Sequence, residues 1–323
     1  MRAISAASPT SVLHNLGLKM NAYTETDANI SRIKNTFNII DPNFAYICGG
    51  LRRIGVDGSE WRARKMLLSG GFRYFTKMQA AIYAAHIMLK PDLFLDVGVN
   101  YAECLFSKPL FDKTKTIGFE ANPDLIPHIN RSALYNDDVN VELVPKAVGD
   151  VAGGELSFYV NELSSGKSTA ARPKSLRDVR EIIVPCTTID AEVSSRNLDS
   201  STLLMKIDVE GYEPYALRGA VNTISKSKSA AIFLEFDSLY IEKSGVDSNM
   251  FFDEILSQFK VFEVNSNASR DITSFSELTK SRDEGQRVHV DLCLLRFSNL
   301  SDEEHFRSAF LGLRKFVAPL WDL

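Results

Sequence analysis

Short, near-continuous apolar runs alternating with helical or loop-like stretches set the strongest limit on what this chain can fold into. Leu93–Val97, Thr116–Phe119, Val139–Val144, Leu203–Val209, Ala230–Phe236, Val261–Val264 and His289–Phe297 read as strands. Near-continuous apolar strands separated by helices predict a parallel sheet covered on both faces. At 323 residues there is room for one large α/β domain and an appendage.

Between Lys77 and Lys90, Met78, Ile82, Ala85 and Met88 recur at helical spacing, and Pro91 closes the helix. A helix near Met250–Phe259 buries Phe251, Ile255 and Phe259. Ser301-x-x-Glu304 reads as a capping box opening a last helix, with Phe306, Phe310, Leu313 and Val317 down one face. The alternation breaks at 154–190: Glu155–Val160 and Ile182–Thr187 form an inserted hairpin, joined by a Ser/Lys/Arg-rich loop over 161–180. Residues 1–75, punctuated by Gly49-Gly50, Asp57-Gly58 and Gly70-Gly71, read as an irregular and helical extension on a main domain of 76–323.

A net charge of −4 argues against a whole-protein field for nucleic acid or anionic membrane. No apolar run approaches the ~20 residues of a membrane span. Met1–Met20, with Arg2, several serines and no acid, faintly resembles a transit peptide but lacks a secretory apolar centre, so the expected location is cytoplasmic. Cys48, Cys104, Cys186 and Cys293 match no zinc spacing and read as reduced thiols.

In open α/β sheets, ligands bind at the carboxyl ends of strands. Asp96-Val97-Gly98-Val99-Asn100 places a glycine directly after one strand, where the backbone can approach a ligand and the next amides can donate to it. A dinucleotide fingerprint needs three glycines, and Gly98 stands alone. Glu120 closes the next strand, where a carboxylate can accept both ribose hydroxyls; this does not separate NAD from S-adenosylmethionine. Ala147-Val148-Gly149-Asp150 follows the third, and its amides or Asp150 can meet an adenine edge. The fourth ends in Lys206-Ile207-Asp208-Val209-Glu210-Gly211. A period of two puts Lys206 and Asp208 on one face, joined by Glu210 if the extended backbone persists. A lysine in a central strand needs a carboxylate partner, so part of this cluster can be structural ion pairing. Glu235 closes the following strand, in reach of Asp208. His128 and His289 are assigned to packing or surface.

In order, Asp96-Val-Gly-Val-Asn, Phe119-Glu-Ala-Asn-Pro, Ala147-Val-Gly-Asp, Thr188-Ile-Asp190, Lys206-Ile-Asp-Val-Glu-Gly-Tyr-Glu213 and Leu217-Arg-Gly-Ala220 resemble the FkbM-type methyltransferases. The resemblance covers about residues 90 to 297 and is most specific over Lys206–Ala220. It implies a class I methyltransferase (Rossmann-like) core, a seven-stranded mostly parallel sheet with helices on both faces, here carrying an N-terminal mainly helical extension. It also implies S-adenosylmethionine as donor and O-methylation of a sugar or natural-product hydroxyl, on a small-molecule or glycan acceptor. By position, Asp96, Gly98 and Asn100 would line the methionine end and Glu120 the ribose, while Asp208 and Glu210 would face the reacting methyl. These two, with Glu235 third, are the candidate bases. Ala102 stands where the family usually has a second glycine, and Ala121 replaces a common proline. A divalent cation on the carboxylates is compatible with the sequence and not required by it. An NAD-linked oxidoreductase and a non-catalytic nucleoside-binding module remain the alternatives. Lys167, Arg172, Lys174, Arg177 and Arg180 make the 161–180 loop either a lid over an anionic acceptor or a solvated charged loop.

Overall fold

The computed structural model describes residues 43–68, 76–264, 271–279 and 287–317. Expectations for Met1–Met20, Gly70-Gly71 and the side chains of Leu313 and Val317 lie outside the described residues. In chain order the strands are β1 (Phe44–Ile47), β2 (Arg52–Gly55), β3 (Leu93–Val97), β4 (Lys115–Phe119), β5 (Val141–Val144) and β6 (Ala147–Val148). They continue with β7 (Glu155–Asn161), β8 (Val179–Thr187), β9 (Thr202–Ile207), β10 (Ser229–Asp237), β11 (Lys260–Glu263) and β12 (His289–Phe297).

A seven-stranded sheet in the order β11-β12-β10-β9-β3-β4-β5 forms the centre. The five strands from β10 to β5 run parallel; β12 is antiparallel to both its neighbours. The expected mostly parallel sheet is therefore present. Its faces explain the unbroken apolar runs. Leu93, Leu95, Val97, Met205, Ile207 and Leu234 pack into one layer. Phe94, Leu204, Ala231 and Phe233 pack into the other, under the helix Lys77–Leu89 and under Phe306 and Phe310 of the helix Leu300–Val317. Because β3 lies between β4 and β9, the winding direction reverses there, and the crevice beyond that switch is the natural ligand site.

The helix Lys77–Leu89 opens on a reciprocal Thr76/Gln79 capping box and ends at Lys90 in the left-handed region, just before Pro91. The expected cap at Ser301 is not used. Helical geometry starts at Leu300, so Ser301 lies inside the first turn and donates its amide to Asn299 Oδ1 at 2.9 Å, leaving Asn299 as the cap.

The inserted hairpin pairs β7 with β8 from Glu155↔Pro185 to Asn161↔Val179, and β6 adds parallel to β8. After β7 the chain folds back: Thr169 exchanges backbone hydrogen bonds with Tyr159 at 2.9 and 3.1 Å. The part of the N-terminal extension that is described contains the helix Trp61–Leu68 and also the hairpin β1–β2, whose four-residue strands are too short to show a period. Ile47, Ile54, Val56 and Met66 pack there with Leu105, Phe106 and Ile129. Among the described residues no helix is long and apolar enough to cross a membrane, and all four cysteines are free.

Candidate active site

Lys206 sits in the middle of the sheet and is almost fully buried. Its direct cross-strand neighbour in the parallel β3–β9 register is Asp96, and its Nζ lies 3.3 Å from Asp96 Oδ1 and 3.4 Å from Asp208 Oδ2. It also donates to the Gly98 carbonyl at 2.6 Å. Burial opposes the charged amine, but Asp208 and Asp96 outweigh it and hold Lys206 above the usual lysine range. Burial in turn pushes Asp96 up to about 6 despite the lysine. The carboxylate partner that a strand lysine demands is thus present.

That pairing corrects the place expected for Asp96. Leu95 and Val97 face one layer, so Asp96 points into the other, fully buried and outside the lining of the cleft. It anchors the turn from behind. Gly98, at φ +84°, is demanded mainly by a neighbour: a Cβ there would lie 1.9 Å from the Asp208 carbonyl oxygen. Lys206 and Gly98 together clamp the β3 and β9 loops to each other. Ala102 keeps the left-handed backbone a glycine would take, at φ 71°, for a cost of about 1–2 kcal/mol.

Glu120 is buried at the end of β4. Its Oε2 accepts from the Asn100 amide and its Oε1 from the Asn122 amide, both at 2.7 Å. Burial raises its pKa against those two bonds. Each carboxylate oxygen carries two acceptor sites, so one on each remains for a ligand. Asn100 Oδ1 is committed to the Tyr101 amide at 2.9 Å and the Ser165 hydroxyl at 3.0 Å. Asp150 is exposed and outside the cleft: Gly149 follows β6 of the side sheet, and Asp150 turns to solvent.

Three carboxylates meet at the other end. One oxygen each of Asp208, Glu210 and Glu235 lies within 4.8 Å of the others. The extended geometry expected through Glu210 does not persist. β9 stops at Ile207, and Glu210 reaches the cluster from a left-handed turn at φ 52°. Glu213 builds this turn, accepting from the amides of Val209 at 2.9 Å and Gly211 at 3.1 and 3.0 Å. Burial pushes Glu213 up to about 8. For Asp208, burial is overcome by Lys206 and Arg62, which hold it below the usual range. Burial, with Asp208 and Glu235 beside it, holds Glu210 well above that range. The Asp208 charge, then burial, lifts Glu235 to about 7. His289, assigned to packing or surface, is half exposed and bonds Glu235 Oε1 through Nε2 at 2.9 Å.

A cleft lies between Glu120 and this cluster. Val97, Phe119, Ala121, Val148 and Phe158 give it apolar walls; Gly98, Asn100, Glu120, Asp208 and Glu210 line its polar parts. Arg62 also lines it, bonded to Glu103 Oε1 at 2.8 Å, and Glu60 accepts the Ser165 amide at 2.8 Å. Residues 1–75 carry none of the motifs of the sequence, yet this segment supplies part of the wall. No motif marks Arg62; its arrival follows from the packing of the helix Trp61–Leu68.

The sheet order with its antiparallel β12, and a cleft at the switch between β3 and β9, define the class I methyltransferase architecture. Residues 96–270, just over half of the chain, match the family model described as the methyltransferase FkbM domain. The chain belongs to the FkbM methyltransferase family. No curated protein matches it significantly. Among solved structures, a putative O-methyltransferase from Klebsiella pneumoniae is 9% identical, with 90% of this chain and 97% of that one covered and a TM-score of 0.39. A methyltransferase from Geobacter sulfurreducens is 12% identical, covering 90% and 98% at 0.34. A dimethyladenosine transferase from Plasmodium falciparum is 14% identical, covering 70% of this chain and 62% of its own length at 0.35.

Proposed function

We propose that this chain O-methylates a hydroxyl of a sugar or natural-product acceptor, using S-adenosylmethionine. The observation that carries the reading is the polarity of the cleft: a ribose-competent carboxylate at one end and an acidic cluster containing an ionised aspartate at the other. The donor set fits. Apolar walls suit a purine, Glu120 the ribose hydroxyls, and ionised Asp208 the cationic end. When bound, S-adenosylmethionine supplies a methyl group already activated on a sulfonium.

The chain's own residues orient the acceptor and take up its proton. Asp208 lines the cleft and receives the hydroxyl proton as the oxygen bonds to the methyl carbon and the carbon–sulfur bond breaks. Glu235, behind it and raised toward neutrality, shares that proton. Glu210, whose neutral form burial and its carboxylate neighbours favour, can donate a hydrogen bond at the same end. None of these steps calls on a divalent cation, although three carboxylate oxygens at this spacing suit one.

The test is calorimetric titration with S-adenosylhomocysteine, then methyl transfer to an acceptor panel. The parent should bind, Glu120→Ala should lose binding, and Asp208→Asn should bind without turning over. A folded parent that does not bind would refute the donor assignment, and an active Asp208→Asn variant would refute the base.

A further inference from the structure

A second cavity, with about 570 Å³ of open space, lies against the inserted hairpin and the helix Ser238–Lys243. It shares a wall with the first. Along the returning segment, Gly166, Ser168 and Ala170 line the first cleft, whereas Lys167, Thr169 and Ala171 line the second. Phe158 of β7 faces the first, Tyr159 and Asn161 the second. Over 168–171 this is the period-two alternation of extended chain; before it Ser165–Lys167 forms a 3-10 turn, with Ser165 and Gly166 on the first cleft and Lys167 on the second, so the partition between the two spaces is one chain thick.

The partition touches the acidic cluster from the second side. Thr169 donates its hydroxyl to the Glu210 carbonyl at 2.7 Å. The Tyr240 carbonyl closes on Gly211 so tightly that a Cβ there would lie 2.5 Å away. Two walls of the second cavity therefore hold the turn that presents Glu210.

Its lining is one-signed. Lys167, Arg177 and Lys243 contribute three cations, and no Asp or Glu lines it. Lys243 Nζ lies 4.3 Å from the centre of the Tyr240 ring, and Arg177 has only its chain neighbour Asp178, at 3.6 Å and exposed. Lys167 has no ion-pair partner among the described residues. Arg177 and Lys167 are exposed and Lys243 half-buried, so in a chain of net charge −4 they form a cationic rim at the mouth of this cavity, where an anion would be attracted. Beside an acidic cluster, they also offset the repulsion an anionic ligand would otherwise meet.

We propose that this second cavity binds an oxyanion, a phosphate or carboxylate, carried by the methyl acceptor. Naming the acceptor rests on the methyltransferase reading above; the anion site does not. The test titrates the S-adenosylhomocysteine complex with inorganic phosphate and, separately, acetate, each against sodium chloride at matched ionic strength. The parent should bind one of them saturably, which also identifies the source of the oxyanion. Each lost charge-assisted contact weakens binding by on the order of tenfold, so Lys167→Glu, Lys243→Glu should lose on the order of a hundredfold. Its affinity for S-adenosylhomocysteine should stay at the parent's value, which also shows that it is folded. Absent saturable binding in the parent, or equal binding by the neutral variant Lys167→Ala, Lys243→Ala, overturns the proposal. Loss of S-adenosylhomocysteine binding by the parent with phosphate still bound would instead overturn the methyltransferase reading, and with it the acceptor half of this one.

Discussion

Replacing Lys206 with methionine would strip the buried ammonium from between Asp96 and Asp208 while nearly conserving the volume of the side chain. Asp96 is fully buried, and Lys206 Nζ at 3.3 Å is its counter-charge. Breaking a buried pair by removing one partner costs about 3–5 kcal/mol, because the other charge is left uncompensated. In a domain of this size that is a fall in Tm of on the order of 10 °C. The sign with pH is fixed. Asp96 already stands at about 6, and without the lysine it moves higher. An acid with a raised folded pKa keeps its share of stability below its unfolded pKa and loses it as pH rises through the folded one. The deficit of Lys206→Met should therefore be full at alkaline pH and shrink on acidification. Urea unfolding of parent and variant at several pH values measures it. Adding Asp96→Asn should recover part of the loss at alkaline pH. A deficit that is absent, or that grows on acidification, would show that the pair does not hold the two loops together.

Two further outcomes follow from the same geometry. Gly98→Ala must displace the Asp208 carbonyl, since its Cβ would come within 1.9 Å; it should unfold at markedly lower urea and bind S-adenosylhomocysteine poorly, and a parent-like variant would contradict the clamp. With Glu235 at about 7, kcat/KM should fall as pH drops through that value, because a protonated Glu235 no longer shares the proton that Asp208 receives. In Glu235→Gln the limb should move to lower pH, toward the depressed Asp208, and an unmoved limb would take Glu235 out of the reaction.

The sheet was legible because burial on both faces leaves strands uniformly apolar, and the ion pair was legible because a lysine at a central-strand position has few other ways to exist. The role of Asp96 was not. Its position in the motif suggests a ligand contact, and only the parity of β3, with Leu95 and Val97 in one layer, turns it inward. Glu210 joins the cluster without the extended backbone on which its place was made conditional, since no period announces the left-handed turn that Glu213 holds. Asp150 was drawn toward the adenine by its place after a strand, but that strand belongs to the side sheet. Arg62 lies outside every motif, and a side chain brought in by tertiary packing leaves no local trace.

The partition between the two cavities also constrains how this chain can change. Gly166, Ser168 and Ala170 face one space while Lys167, Thr169 and Ala171 face the other. Exchanging one residue alters one cavity and leaves its neighbour nearly untouched, so one ligand preference can be retuned without disturbing the other. Inserting or deleting a single residue within 168–171, where the chain is extended, slips the register there and swaps Thr169 and its neighbours across the wall. Relatives that differ in what they modify should therefore vary here by replacement at constant length.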